Sequence, residues 1–312
     1  MTWVPYYRGD GSVHDVQLAP PPPWREFPRS PLGLKFQPPL GLADAVNAAL
    51  SIRRPLLLTG VPGSGKSTVI ESVAEELKLG NVLRWHITSR STLNDALYRY
   101  DVLGRIHEQQ LRSLGHETET VDDIAPFLQL GPLGTALVAK RPRALLIDEI
   151  DKSDLDLPGD LLDVLERGEF EIPELARYKV ETVPVRIWES EETCTLRRGK
   201  VRCAEFPFIV MTSNEERDFP PAFLRRCIRF PMPEPDEETI RKVVYAHLDM
   251  VLPSSGPMAE LVSSFVTRLR AGENLAIDQL LNAVFLLSGQ AVPEGTQRDE
   301  IVALLLRELT RA

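Results

Sequence analysis

Apolar residues in this chain follow two rhythms. Four short runs, Pro55 to Leu58, Asn81 to Ile87, Ala144 to Ile147 and Phe206 to Met211, each suit one buried strand and are too short for a helix. Strands this apolar belong in a sheet covered on both faces. The helical rhythm supplies the cover. Leu42, Val46, Ala49 and Leu50 share one side of a helix over 41–52, and Ser67 to Leu77 repeats the pattern. Asp154 to Arg167 places Leu161, Leu162, Val164 and Leu165 on one side before Gly168 ends it. The pattern predicts an α/β fold, a parallel sheet flanked by helices.

Two stretches depart from this rhythm. Over about 169–205 the period is two, at Phe170 to Ile172, Val183 to Trp188 and Thr193 to Cys203, which predicts a β-hairpin insertion turning at Arg197-Arg198-Gly199-Lys200. Closed symmetrically on Arg198-Gly199, the hairpin sets Cys194 across from Cys203. Its basic tip is either a contact for a partner or an ordinary solvated turn. From Asp236 onward only helical spacing remains, at 237–251, 258–270, 275–288 and 298–311, predicting a small C-terminal helical lid over 236–312. Three prolines between Pro231 and Pro235 form the linker to it. Residues 1–35 are rich in proline and aromatics and read as an arm, leaving 36–232 as the core. The apolar surface of Trp3, Tyr6, Tyr7, Trp24 and Phe27 suits docking on the main body or on a neighbouring subunit.

Composition narrows the class. With 312 residues, 43% of them hydrophobic, the chain can bury a core without metals or disulfides. A formal net charge of −9 weighs against a constitutively basic nucleic-acid surface. Cys194, Cys203 and Cys227 are odd in number and lack metal-ligand spacing, as expected in a reducing compartment, here the cytoplasm. The N-terminus carries Asp10 and several prolines where an apolar signal core would be needed, and no apolar run approaches the roughly 18 residues of a membrane span, so neither secretion nor insertion is expected.

The candidate chemistry lies where the predicted strands end. Gly60-Val61-Pro62-Gly63-Ser64-Gly65-Lys66-Ser67-Thr68 follows the first strand, opens a helix and fits the phosphate-binding pattern in full. Its glycines let successive N–H groups face an anion, Lys66 reaches β and γ phosphates, and the Ser67 hydroxyl ligates Mg²⁺. The third strand ends in Asp148-Glu149, a Walker B pattern in which Asp148 holds Mg²⁺ and Glu149 polarises the attacking water. Asn214 follows the fourth strand and can orient water or the γ phosphate without adding charge. Beyond it, Arg225 and Arg226 project from a short apolar helix, and either can stabilise the transition state in a second subunit.

In this order the motifs resemble those of the AAA+ ATPases, and within them the MoxR branch. The local matches are Asp101-Val102-Leu103-Gly104-Arg105, Gly131-Pro132-Leu133, Asp148-Glu149-Ile150 and Pro221-Ala222-Phe223-Leu224-Arg225-Arg226, within a similarity covering about 35–290. The resemblance implies a P-loop AAA+ core with a helical lid, ATP bound between them, and a ring, commonly of six copies, in which each site is completed by its neighbour. It puts Arg226 on the finger arginine and Asn214 on the sensor asparagine. It also implies a chaperone or remodeller acting with a von Willebrand A domain partner. Two departures stand out. The lid stretch Gly272-Glu273-Asn274-Leu275-Ala276-Ile277-Asp278 lacks the expected ATP-contacting arginine, so that either Arg268 or Arg270 substitutes or the contact is missing, and the 169–205 insertion is longer than usual. A low-turnover assembly switch in a signalling or defence complex, a DNA-directed restriction-type motor and, most distantly, a small-molecule kinase remain the competing functions.

Overall fold

The computed structural model describes residues 6–27, 33, 36–113, 123–273, 275–289 and 295–307. Trp3, residues 114–122, Asn274 and the tail 308–311 of the last predicted helix lie outside the described residues. In chain order the strands are β1 (Leu56–Thr59), β2 (Leu83–His86), β3 (Tyr98–Tyr100), β4 (Leu128–Leu130), β5 (Ala144–Asp148), β6 (Glu169–Glu171), β7 (Thr182–Arg186), β8 (Thr193–Arg197), β9 (Lys200–Arg202), β10 (Phe208–Ser213) and β11 (Ile228–Pro231). The helices up to β11 are α1 (Leu42–Ile52), α2 (Lys66–Glu76), α3 (Leu93–Leu97), α4 (Val102–Ser113), α5 (Pro132–Val138), α6 (Leu157–Arg167), α7 (Pro173–Ala176) and α8 (Pro221–Leu224). Those of the C-terminal helical region are α9 (Glu237–Leu248), α10 (Pro257–Arg270), α11 (Ile277–Ser288) and α12 (Gly295–Leu305).

The chain divides into two compact units. One comprises Met1–Pro39, Gly60–Ser72 and Met232–Ala312; the other comprises Leu40–Thr59 and Val73–Pro231. The second holds the main sheet, whose five strands run parallel in the order β11-β1-β10-β5-β2. The expected parallel sheet flanked by helices is therefore present. Leu56, Leu57, Leu58, Ile147, Ile209 and Met211 are fully buried, which is why these strands read as unbroken apolar runs. Two details differ from the sequence reading. The fourth predicted strand runs on through Thr212 and Ser213, both buried. The predicted 231–235 linker begins as the end of edge strand β11, where a proline is tolerated because its missing donor faces no neighbour.

The insertion is larger than a hairpin. Its strands join β3 and β4 in a six-stranded sheet of order β3-β4-β7-β8-β9-β6. β3 and β4 have three residues each, too few for a period-two signal. α5 is buried from Pro132 to Leu137 and packs on strands of both sheets. The hairpin turns on Arg198 and Gly199 as the sequence suggests, both at positive φ (48° and 67°).

In the first unit, α9 to α12 bury Ile240, Val244, Val262, Phe265, Leu280 and Val284 in a core of their own. Asp236 caps α9 by accepting the Thr239 N–H at 2.8 Å. The arm reaches this bundle through Trp24, whose ring meets Phe285 edge-on at 5.9 Å and whose Nε1 donates to Asn282 Oδ1 at 3.2 Å. Tyr7 and Phe27 stay exposed.

Candidate nucleotide site

β1 delivers the chain to Gly60, and the loop passes into α2 at Lys66. Gly60, Gly63 and Gly65 have φ of +133°, +74° and +83°, values that a side chain would oppose. Lys66 is buried, and its Nζ donates to the carbonyls of Gly60 (2.7 Å) and Val61 (2.9 Å). Ser64 Oγ is buried without a hydrogen-bond partner among the described residues. Positive-φ glycines, a folded-back ammonium and an unsatisfied buried hydroxyl fit a polyphosphate. Pro62, Ser67 and Thr68 complete the loop, with the Thr68 N–H donating to Gly65 O at 3.0 Å. Within the same unit the C-terminal helical region meets this loop through Ala276. A Cβ placed on Gly63 would lie 2.7 Å from that of Ala276, and one on Gly65 would lie 3.3 Å from the Phe36 ring. Arg268 is instead paired with Glu273 at 2.6 Å, and Arg270 is exposed.

The acidic residues lie on the other unit, at the C-terminal ends of β5 and β10. Thr212, buried, donates its hydroxyl to Asp148 Oδ1 at 2.5 Å and accepts the Glu149 N–H at 2.9 Å. One side chain on β10 thus holds the Asp148 carboxylate and the Glu149 backbone together. Glu149 sits at φ 60°, in left-handed backbone just past the end of β5. Lys152 Nζ meets that carboxylate at 2.8 Å, and His86 Nε2, at the end of β2, approaches it to 3.5 Å. Hydrogen bonding to Glu149 holds the Lys152 ammonium above its ordinary pKa. Asp151, buried, accepts the N–H groups of Asn214 (2.8 Å) and Glu216 (3.1 Å), fixing the loop that carries the asparagine.

The structure brings Asp148, Glu149 and Asn214 to one edge of the sheet, through parallel strands in register. The two arginines stand apart from that edge. Arg226 lies against Glu166 of α6 at 3.4 Å, a carboxylate it shares with Arg54 at 2.9 Å. Arg225 is exposed and has no ion pair among the described residues. Sequence reasoning gave no role to Thr212, Asp151, His86 or Lys152. The only local signal was the acidic spacing Asp148-Glu149-Ile150-Asp151-Lys152.

A family model described as the AAA domain, dynein-related subfamily, matches residues 55–227. Domain III of the Thermotoga maritima replication initiation protein DnaA is similar with a TM-score of 0.41 and 16% identity, over 88% of this chain and 94% of that one. A mutant of Thermotoga maritima RuvB is similar with a TM-score of 0.45 and 14% identity, over 85% of this chain and 67% of that one. No curated protein matches the chain.

Proposed function

The chain belongs to the AAA domain family, dynein-related subfamily, and from that premise we propose that it binds and hydrolyses ATP where copies of itself meet, to remodel or activate a protein partner. The observation that carries the chemistry is the Thr212 hydroxyl, which joins Asp148 to the Glu149 backbone at the strand ends. In this reading Gly60 to Thr68 wrap the phosphates, and Lys66 exchanges its carbonyl partners for phosphate oxygens. Ser67 and Asp148 supply oxygens to Mg²⁺, which when bound offsets phosphate charge. Glu149 takes a proton from the attacking water, Asn214 orients that water, and Arg226 or Arg225 of a neighbouring copy stabilises the transferring group. A MoxR-like ring, commonly of six, acting on a von Willebrand A domain protein in the cytoplasm is the form supported by the sequence motifs and by three free thiols. Phosphate release is expected to fall by about 10²-fold or more in Glu149→Gln, with ATP still bound. An unchanged rate rejects the reading.

A second reading, an assembly switch with little turnover, is favoured by two contacts. Lys152 grips the carboxylate that must accept a proton, and the lid offers Ala276 to the phosphate loop in place of an arginine. A switch keeps its assembly function in Glu149→Gln; a remodeller loses its own.

A further inference from the structure

β8 and β9 leave their turn as neighbours, but the ladder between them stops after the single pair Arg197↔Lys200. On its other side β8 stays paired with β7 from Thr182↔Arg197 to Arg186↔Thr193. Main-chain groups alternate sides along an antiparallel ladder. Arg198 N–H donates to Glu181 O and Ile187 N–H to Glu192 O, so Cys194 and Leu196 face β7 while Thr193 and Thr195 face away from it. Pro184 stands opposite Thr195, where no donor is needed. On β9, Cys203 N–H donates to Gly168 O, so Val201 faces β6 and Arg202 turns its main chain back toward β8. Thr193, Thr195 and Arg202 therefore face a wedge between the strands with no ladder partner across it.

The wedge is a groove of about 710 Å³ whose lining includes Lys140, Thr193, Thr195, Arg197, Lys200 and Arg202 and, among the described residues, no carboxylate. Glu181 partly neutralises Arg197 at 2.8 Å, and Glu169 partly neutralises Arg202 at 3.2 Å. Lys140 and Lys200 have no ion pair among the described residues, and both are exposed. On a chain of net charge −9, this is a local concentration of positive charge at an open strand edge. Open edges recruit extended segments through main-chain hydrogen bonds, and flanking cations select acidic side chains. Among the described residues no aromatic ring lines the groove, so nucleic acid would find no stacking platform there.

We propose that the wedge between β8 and β9 binds an extended acidic segment of a partner protein by strand addition to β8. The probe is a fluorescein-labelled Glu-Val-Glu-Val-Glu-Val peptide titrated against the full chain by anisotropy. Saturable binding is expected, weakened about tenfold or more in the Lys140→Glu, Lys200→Glu double variant, with ATP hydrolysis unchanged. N-methylating alternate residues of the peptide keeps its charge but blocks pairing, and is expected to abolish binding to the unaltered protein. Thr195→Pro, which removes a donor facing the wedge but none in the β7 ladder, is expected to do the same. Three results overturn the proposal: no binding, equal binding of the N-methylated peptide, or preferential binding of oligothymidylate.

Discussion

Thr212 Oγ1 serves two masters, donating to one carboxylate and accepting from the backbone of the next residue. Thr212→Val keeps its shape and removes both bonds. Leaving buried polar groups unmatched costs about 1–3 kcal/mol. The variant should therefore melt earlier, and its ATP turnover should drop more than its nucleotide affinity, which thermal melts and steady-state kinetics will show. Lys152 makes the opposite prediction. If its contact with Glu149 restrains the base, Lys152→Met should raise turnover several-fold, and a fall would show that the lysine assists the reaction. The phosphate loop and the Asp148-Glu149 pair were legible in the sequence because their chemistry needs contiguous residues. Thr212 was not, because it meets Glu149 across 63 positions of sequence that only strand register brings together.

At the scale of elements, the insertion depends on a turn that opposes a side chain at Gly199. Its φ is 67°, and a Cβ there would come within 2.4 Å of Ile172 O. Gly199→Ala should destabilise the hairpin by about 1–2 kcal/mol from conformation alone, with the clash adding to it. Hydrogen exchange across β8 and β9 will measure the loss. The turn itself could be read from sequence, because Arg-Gly between alternating runs specifies it. The sheet it joins could not, because β3 and β4 are three-residue strands recruited from either side of α4. Likewise β11 was hidden by its terminal proline, whose tolerance depends on an edge position no local pattern reveals.

At the scale of the molecule, the core makes stability fall at alkaline pH. Burial pushes the Cys227 thiol up to about 12, and burial with the Glu174 hydrogen bond takes the Tyr98 hydroxyl to about 12. Their ordinary values are 9.0 and 10.0, so above those values the unfolded chain sheds protons that the folded chain keeps. Their contribution is therefore complete below about pH 9 and lost as pH rises through about 12. Melting temperature should decline over that window, less steeply in Tyr98→Phe and in Cys227→Ala; an unchanged slope would contradict the assignment. Among the described residues no helix is long and apolar enough to cross a membrane.

In the proposed function two copies build one catalytic pocket, the acid coming from one and the guanidinium from the other. Co-assembly of two inactive variants, Glu149→Gln and the double variant Arg225→Ala, Arg226→Ala, tests it directly. Mixed at equal amounts with ATP and Mg²⁺, they should regain a clear fraction of unaltered ATP hydrolysis, because some junctions then pair an intact acid with an intact arginine. Co-assembly proven by native mass measurement, with hydrolysis no higher than in either variant alone, would contradict the account.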